Sequence, residues 1–215
     1  MFLAFCILAA LYERERSGQG QVVDAAMTDG SAVLMNAIFG IMNSGQWKAR
    51  GTNLLDSGAH FYNTYETRDG KFISVGSIEP QFYALLLEKS GLGEKPDLPR
   101  QMARDQWPDL KQTLGDIFRS KTRDEWDEIM LGTDICYAPV LDFQEAAQHP
   151  HNKARDTFVE VDGVVQAAPA PRFDRTPPEV PGAAAKPGEH TDEILKDAGM
   201  SAAEIAALRQ SGAVA

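Results

Sequence analysis

Cysteine is scarce in this sequence, and its two thiols, Cys6 and Cys136, form neither a CxxC pair nor a metal-ligand spacing. That excludes a disulfide scaffold and a cysteine-built metal site. It makes a reducing compartment, the cytoplasm, the expected location. Basic charge is also short: 21 Lys and Arg stand against 31 Asp and Glu, a formal net charge of −10. No basic stripe offsets that balance, which argues against nucleic acid or an anionic membrane surface as partner. No apolar run is long enough for a bilayer, since MFLAFCILAALY ends at Tyr12. Histidine is rare too. His149 and His151 flank Pro150 in a loop and give no metal site, and His190 reads as a turn residue.

What remains is ordinary globular material. The 215 residues are 43% hydrophobic and 24% charged, enough for one large domain or two small ones with a real core. The opening segment has the apolar look of a signal peptide but no basic n-region and no small-residue cleavage site. It reads better as a buried helix, left through the charged Glu13 to Arg16 turn and Gly18. Core helices rarely open a domain without a polar lead-in, so the chain is expected to start inside one; the alternative is a native N-terminal helix.

Gln21 to Met27 reads as a short strand, and Asp29-Gly30-Ser31 as a helix start. Met35, Ile38, Phe39 and Met42 then share one helical face. That face is either an ordinary core stripe or, because Met adapts its shape, a cradle for a flexible chain. Arg50 to Gly58 is a polar loop. Strands are expected at His60 to Thr67 and Lys71 to Ile78, because Asp69-Gly70 between two alternating runs signals a hairpin. Pro80 suits the first turn of a helix that Gly91 ends, with Phe82, Tyr83, Leu86 and Leu87 on its face. Another helix runs from Trp107 to Phe118. Thr122 with Glu125, and Asp142 with Glu145, are capping-box patterns that open two more, with a strand from Tyr137 to Leu141 between them. Phe72, Phe82, Trp107, Phe118 and Trp126 are expected to close the core. Val165 to Lys186 is rich in Pro and Ala and is expected to be a linker without regular structure. Two short helices follow, one from Thr191 to Gly199 and one from Ser201, where Glu204 completes another capping box.

Residues 50–87, RGTNLLDSGAHFYNTYETRDGKFISVGSIEPQFYALLL, are the most informative stretch. The second strand stops at Ile78-Glu79-Pro80, so Glu79 falls at a strand-to-helix junction, where a carboxylate is easily presented to a ligand. A residue before proline prefers extended backbone, which makes Glu79 the helix N-cap, yet glutamate is not a preferred N-cap. Either function overrides local preference there, or this is a solvated carboxylate favoured by the helix dipole. The block closely resembles the middle of the α-methylacyl-CoA racemases, members of the family III (CaiB/BaiF-type) CoA-transferase superfamily. The resemblance runs from GQGQVVDAAM to GEHTDEIL.

It implies a large α/β domain split in sequence by a small α+β domain, with two subunits interlocked as a homodimer. Residues 51–150 would be the small α+β domain. Residues 1–50, with helices and a short strand, and 151–215, with a linker and C-terminal helices, would belong to the large domain. The expected class is therefore α+β, an incomplete version of the superfamily's α/β fold. The implied partner is an acyl-CoA thioester. No separate cofactor is implied, because coenzyme A is part of the substrate, and no metal.

In these racemases a histidine paired with a glutamate serves one face of the substrate α-carbon, and an aspartate serves the other. Glu79 matches the glutamate. The histidine and the aspartate have no counterpart here, so a missing N-terminal half is expected and the chain alone should be inactive. Asn53, Leu54, Leu55 and Asp56 match a loop bordering the acyl pocket, and with Ile78 they are the implied substrate-binding residues. Ser57 stands where the family usually has glycine, although serine disfavours positive φ. His60 stands where it usually has proline. It is either a stand-in base near Glu79 or a histidine making ordinary hydrogen bonds. IEPQFY, and the absence of a glycine run over 53–59, favour a racemase over a CoA-transferase. A non-catalytic remnant or binding subunit is the third reading.

Overall fold

Three helices open the chain and bury nothing. The computed structural model describes residues 1–94 and 100–214. Helix α1 (Phe2–Ser17) stops at Gly18, whose left-handed φ of 74° turns its N–H back onto the Arg14 carbonyl. Helices α2 (Met27–Leu34) and α3 (Asn36–Asn43) are separated by a break at Met35. None of the three contains a buried residue. Phe5 and Leu8, for example, are 72% and 67% exposed.

This corrects four expectations. The first helix is not buried. Residues 19–26 form no strand, and Val22 stands open to solvent. A strand needs a neighbour for its N–H and C=O groups, and the β-branched pair Val22-Val23 does not supply one. The next helix starts at Met27 instead of after Asp29, and the break at Met35 splits the expected apolar stripe. Met35, Phe39 and Met42 are each about half exposed.

The core is drawn from residues 59–135. Strands β1 (Tyr62–Glu66) and β2 (Phe72–Gly76) form the expected hairpin, with Gly70 at φ 73° in its turn. Helix α4 (Pro80–Ser90) follows, stopped by left-handed Gly91. Then come α5 (Trp107–Phe118), α6 (Arg123–Met130) and β3 (Tyr137–Val140). The sheet order is β1-β2-β3, antiparallel throughout. Helix α6 begins in the expected capping box of Thr122 and Glu125.

Tyr65, Ile73 and Val75 point from the sheet into the core, where they meet Leu86, Trp107, Leu114, Phe118, Trp126 and Met130. Phe61 meets Trp107 edge-on at 5.8 Å, and Phe118 meets Trp126 in the same way at 5.1 Å. The buried Trp126 indole N–H donates to the Phe118 carbonyl at 2.8 Å, so it is not left unsatisfied. Phe72 does not join them, against expectation; it is 45% exposed. Side chains alternate across a strand, so burying Ile73 and Val75 turns Phe72 to the open face.

Residues Leu141–Ala215 make a second compact unit. Helix α7 (Phe143–Gln148) starts in the Asp142–Glu145 capping box. A further short helix, α8 (Pro150–Ala154), was not anticipated. Strands β4 (Phe158–Val161) and β5 (Val164–Ala167) form a second hairpin, so Val165 to Ala167 are not linker. Asp162 and Gly163 turn it with φ of 51° and 79°, the two positive values a type I′ turn needs. Arg172 donates to the Arg155 and Asp156 carbonyls, tying the chain after the hairpin to the chain before it. Helices α9 (Thr191–Asp197) and α10 (Ala202–Gln210) sit where the sequence put them, and Ile205 is buried. The described residues thus form the expected mixed α+β fold with small antiparallel sheets. Among them, no helix is long and apolar enough to cross a membrane.

Candidate functional site

Glu79 caps α4 with extended backbone, φ −72° and ψ 143°, as the following proline demands. Its carboxylate makes no capping hydrogen bond and is exposed. The backbone around it is tightly held. The fully buried Ser77 donates its hydroxyl to the Ile135 carbonyl at 2.5 Å, and its N–H donates to Phe61 at 2.9 Å. The Gln101 amide donates to the carbonyls of Ser77 and Ile78 at 3.0 and 2.8 Å. Gln101 is itself fixed, because its carbonyl accepts the Trp107 indole N–H at 2.8 Å. The Glu79 carbonyl accepts the Tyr83 N–H at 2.9 Å. An exposed carboxylate, unpaired among the described residues, therefore stands on a clamped stretch between the end of β2 and the start of α4. No periodicity or motif in the sequence marked Gln101 as part of that clamp.

The loop over 53–58 has its own scaffold. Asn53 is buried; its side-chain oxygen accepts from Lys48 N–H at 2.7 Å, and its amide donates to Asp56 at 2.7 Å and to Ala49 O at 3.1 Å. Asp56 also accepts from the N–H groups of Gly51 and Asn53 at 2.8 and 2.6 Å. Desolvation pushes the Asp56 carboxyl up, but these hydrogen bonds outweigh it and hold it below the ordinary carboxylate range. Ser57 does adopt the left-handed backbone its family counterpart glycine would suit, φ 74°. Its carbonyl accepts from the Lys111 ammonium at 2.7 Å. At Gly58 an added Cβ would lie 2.5 Å from the Asn53 carbonyl oxygen, so only glycine fits.

Two clefts flank this loop. One, of about 380 Å3, lies on the open side of the hairpin and is lined by Leu55, Ser57, Tyr62, Ser74, Gly76 and Cys136, among others. The other, of about 290 Å3, is lined by Ile41, Trp47, Leu54, Leu55, Met102 and Arg104, with Gln46 and Asn53. Leu55 borders both. Leu54 and Ile78 are half-buried and pack on the core. Cys136 is exposed, yet partial desolvation and the charges of Glu79 and Asp134 push its thiol up. The structure thus brings Leu55 to one cleft and Leu54, Leu55 and Asn53 to the other. It turns the polar atoms of Asn53 and Asp56 inward, onto the loop.

His60 is not a stand-in base. It is fully buried, with Nε2 2.9 Å from the Tyr83 hydroxyl, and burial pushes the imidazole down to about 4. Among the described residues, no three His, Cys, Asp or Glu side chains come together as a metal site.

The family model of CoA-transferase family III matches residues 1–191. The chain belongs to that family. Within it, the chain is 49% identical over 204 residues to the alpha-methylacyl-CoA racemase of Mus musculus, covering 93% of this chain and 53% of that protein. It is 46% identical over 210 residues to the alpha-methylacyl-CoA racemase of Homo sapiens, covering 95% and 54%. The chain therefore spans about half the length of these family III relatives. A solved CAIB/BAIF family protein from Brucella suis superposes with a TM-score of 0.67 at 23% identity, over 90% of this chain and 52% of that one. That likeness is one of fold.

Proposed function

We propose that this chain forms the part of a 2-methylacyl-CoA racemase that carries the glutamate partner of a catalytic histidine. The observation behind this reading is Glu79, an exposed carboxylate unpaired among the described residues, on the segment from β2 to α4 that Ser77, Gln101 and the first turn of α4 clamp. Similarity to two racemases along most of the chain supports it. The reaction removes the α-proton of the thioester to a base on one face. The electron pair moves onto the carbonyl oxygen as an enolate, and a group on the other face returns a proton to the α-carbon. Glu79 would orient the histidine and stabilise its imidazolium. The histidine, the opposite aspartate and the main coenzyme A contacts would come from a polypeptide supplying what this sequence does not hold.

On this reading residues 51–150 are the small domain, and 1–50 and 151–215 serve a large domain completed in a homodimer. Leu54, Leu55 and Ile78 border the acyl chain. Asn53 and Asp56 act by shaping the loop. The site works in the cytoplasm, and coenzyme A enters as part of the substrate.

The test is deuterium wash-in at the α-position of a 2-methylacyl-CoA. The chain alone should show none. Co-expressed with the N-terminal half of a racemase relative, it should show exchange, and Glu79→Gln should slow that exchange tenfold or more. An unchanged rate in Glu79→Gln, or full exchange by the chain alone, overturns the assignment. Coenzyme A transfer to a free acid without α-exchange would instead point to a CoA-transferase.

A further inference from the structure

One buried polar group takes no part in that reaction. His60 has no exposed surface, and its neighbours are aromatic: the Phe61 ring at 5.1 Å and the Tyr83 ring at 5.5 Å, both edge-on. Its Nε2 shares a hydrogen bond of 2.9 Å with the Tyr83 hydroxyl. Its Nδ1 is buried with no hydrogen-bond partner. Its carbonyl accepts the Tyr65 hydroxyl at 2.5 Å. One residue, at the entrance to β1, thus engages both β1 and α4. Tyr83 lies one turn into α4, and its N–H donates to the carbonyl of Glu79 at 2.9 Å. A continuous path runs from the imidazole through Tyr83 to the residue at the strand end.

We propose that His60 is a positioning residue, a proton-operated latch that holds the first turn of α4, and with it Glu79, against the hairpin while the imidazole is neutral. An imidazolium has two N–H donors and a full charge. This site offers one hydroxyl and two edge-on aromatic rings, and among the described residues no hydrogen-bond partner for Nδ1. A charge there is desolvated and unpaired, so protonation favours the state in which His60 reaches water. Water is reached by separating the imidazole from Tyr83, which frees the first turn of α4.

The surrounding titratable groups do not compensate. Tyr83 on α4 and Tyr65 on β1 are both pushed up by burial, Tyr65 further by its neighbour Tyr83, so both stay neutral as acid is added. Asp56, in the loop before His60, turns its carboxylate to Gly51 and Asn53. Lys111 of α5 places its ammonium on the Ser57 carbonyl. Glu79 itself is exposed. Burial drives the imidazole from its ordinary 6.5 to about 4, so the neutral latch is fully closed above the ordinary value and loosens as pH falls below it.

The latch rests on the proposed role of Glu79 only for its use in catalysis, so its test uses no activity. Hydrogen exchange of the full 215-residue chain is followed by mass spectrometry in the peptide covering α4. Values at ~pH 7 and ~pH 4.5 are corrected for intrinsic exchange rates. In the native sequence, protection of that peptide should fall more than about tenfold on acidification. In His60→Gln, which keeps hydrogen-bonding capacity but cannot be charged, it should change by less than about twofold. An equal fall in both proteins, or none in the native one, overturns the proposal. If His60→Gln does not fold, Tyr83→Phe decides. It should leave the β1–β2 peptide protected and α4 exposed already at ~pH 7, and a fully protected α4 in that variant refutes the latch. Loss of the latch would leave the racemase reading standing, and loss of that reading would leave the latch.

Discussion

Residues 1–43 and residues 59–135 use the same local signals and end in opposite states. Both begin and stop helices by ordinary rules: Gly18 closes α1 as Gly91 closes α4, each left-handed with its N–H turned back onto the helix. Yet α1, α2 and α3 bury no residue, while the second region supplies nearly all the core. Apolar content does not explain the contrast, since FLAFCILAAL is more apolar than any helix of the core region. What differs is the facing surface. In the second region a three-stranded sheet offers Tyr65, Ile73 and Val75 to the helices that cross it. The first region has no sheet of its own. Helix signals fix where the chain coils; burial needs a complementary face.

The contrast is broken most directly by truncating one large side chain in each region. Trp126→Ala should destabilise the chain by about 3–5 kcal/mol in urea unfolding, through lost transfer and an uncollapsed cavity. Leu8→Ala, on an already exposed face, should change stability by less than ~0.5 kcal/mol. Similar losses for both would show that α1 is packed in solution as firmly as the core.

The loop between the two regions sharpens the comparison at a smaller scale. Gly58→Ala drives a Cβ into the Asn53 carbonyl and should be destabilising by ~1–3 kcal/mol. Ser57→Gly removes a left-handed serine and should stabilise by about 1 kcal/mol, partly offset by the extra freedom of the unfolded chain. Both are read from urea midpoints. The opposite signs at adjacent positions are the diagnostic result, and equal signs would contradict the loop geometry.

The smallest effect is acid-linked. Asp56 is held below the ordinary carboxylate range, so its contribution is complete above the unfolded value of about 3.9 and is lost as pH falls through the folded one. It is only half-buried, and solvent screening keeps the effect small. Asp56→Asn should flatten the acid limb of the stability profile. An acid limb as steep as in the native chain would assign it to other carboxylates.

Most of the core region was legible because its signals are local. Asp69-Gly70 gave the hairpin, Pro80 and Gly91 the bounds of α4, and Thr122 with Glu125 the start of α6. The family and Glu79's place as the N-cap of α4 were legible in IEPQFY. The strand expected at 21–27 failed because strand propensity says nothing about a partner. Phe72 failed on parity, since aromatic character outweighed the alternation that Ile73 and Val75 impose. The β4–β5 hairpin carries at Asp162-Gly163 the same turn signal as Asp69-Gly70, but its strands are only four residues long and border a proline-rich stretch, so composition masks them. Gln101 and the His60–Tyr83 contact could not be read at all. Each joins residues more than twenty positions apart through a single polar contact, which leaves no periodic trace.

The central strand of the three-stranded sheet joins neighbours of very different origin. β1 reaches β2 through a turn of a few residues, whereas β3 must return from far along the chain: the Ser74 hydroxyl and the Ala138 carbonyl it binds are 64 positions apart. Closing a loop of that length costs roughly 4 kcal/mol of chain entropy, against roughly 1.5 kcal/mol for the few residues of a hairpin turn. Order of assembly follows. The hairpin can form as soon as Gly76 is available, but until α4, α5 and α6 have condensed and delivered β3, the far edge of β2 offers unpaired N–H and C=O groups. Residues 72–76 are thus the stretch whose fate during synthesis depends on a segment made some sixty residues later, and the arrival of β3 both completes the sheet and removes its most adhesive edge.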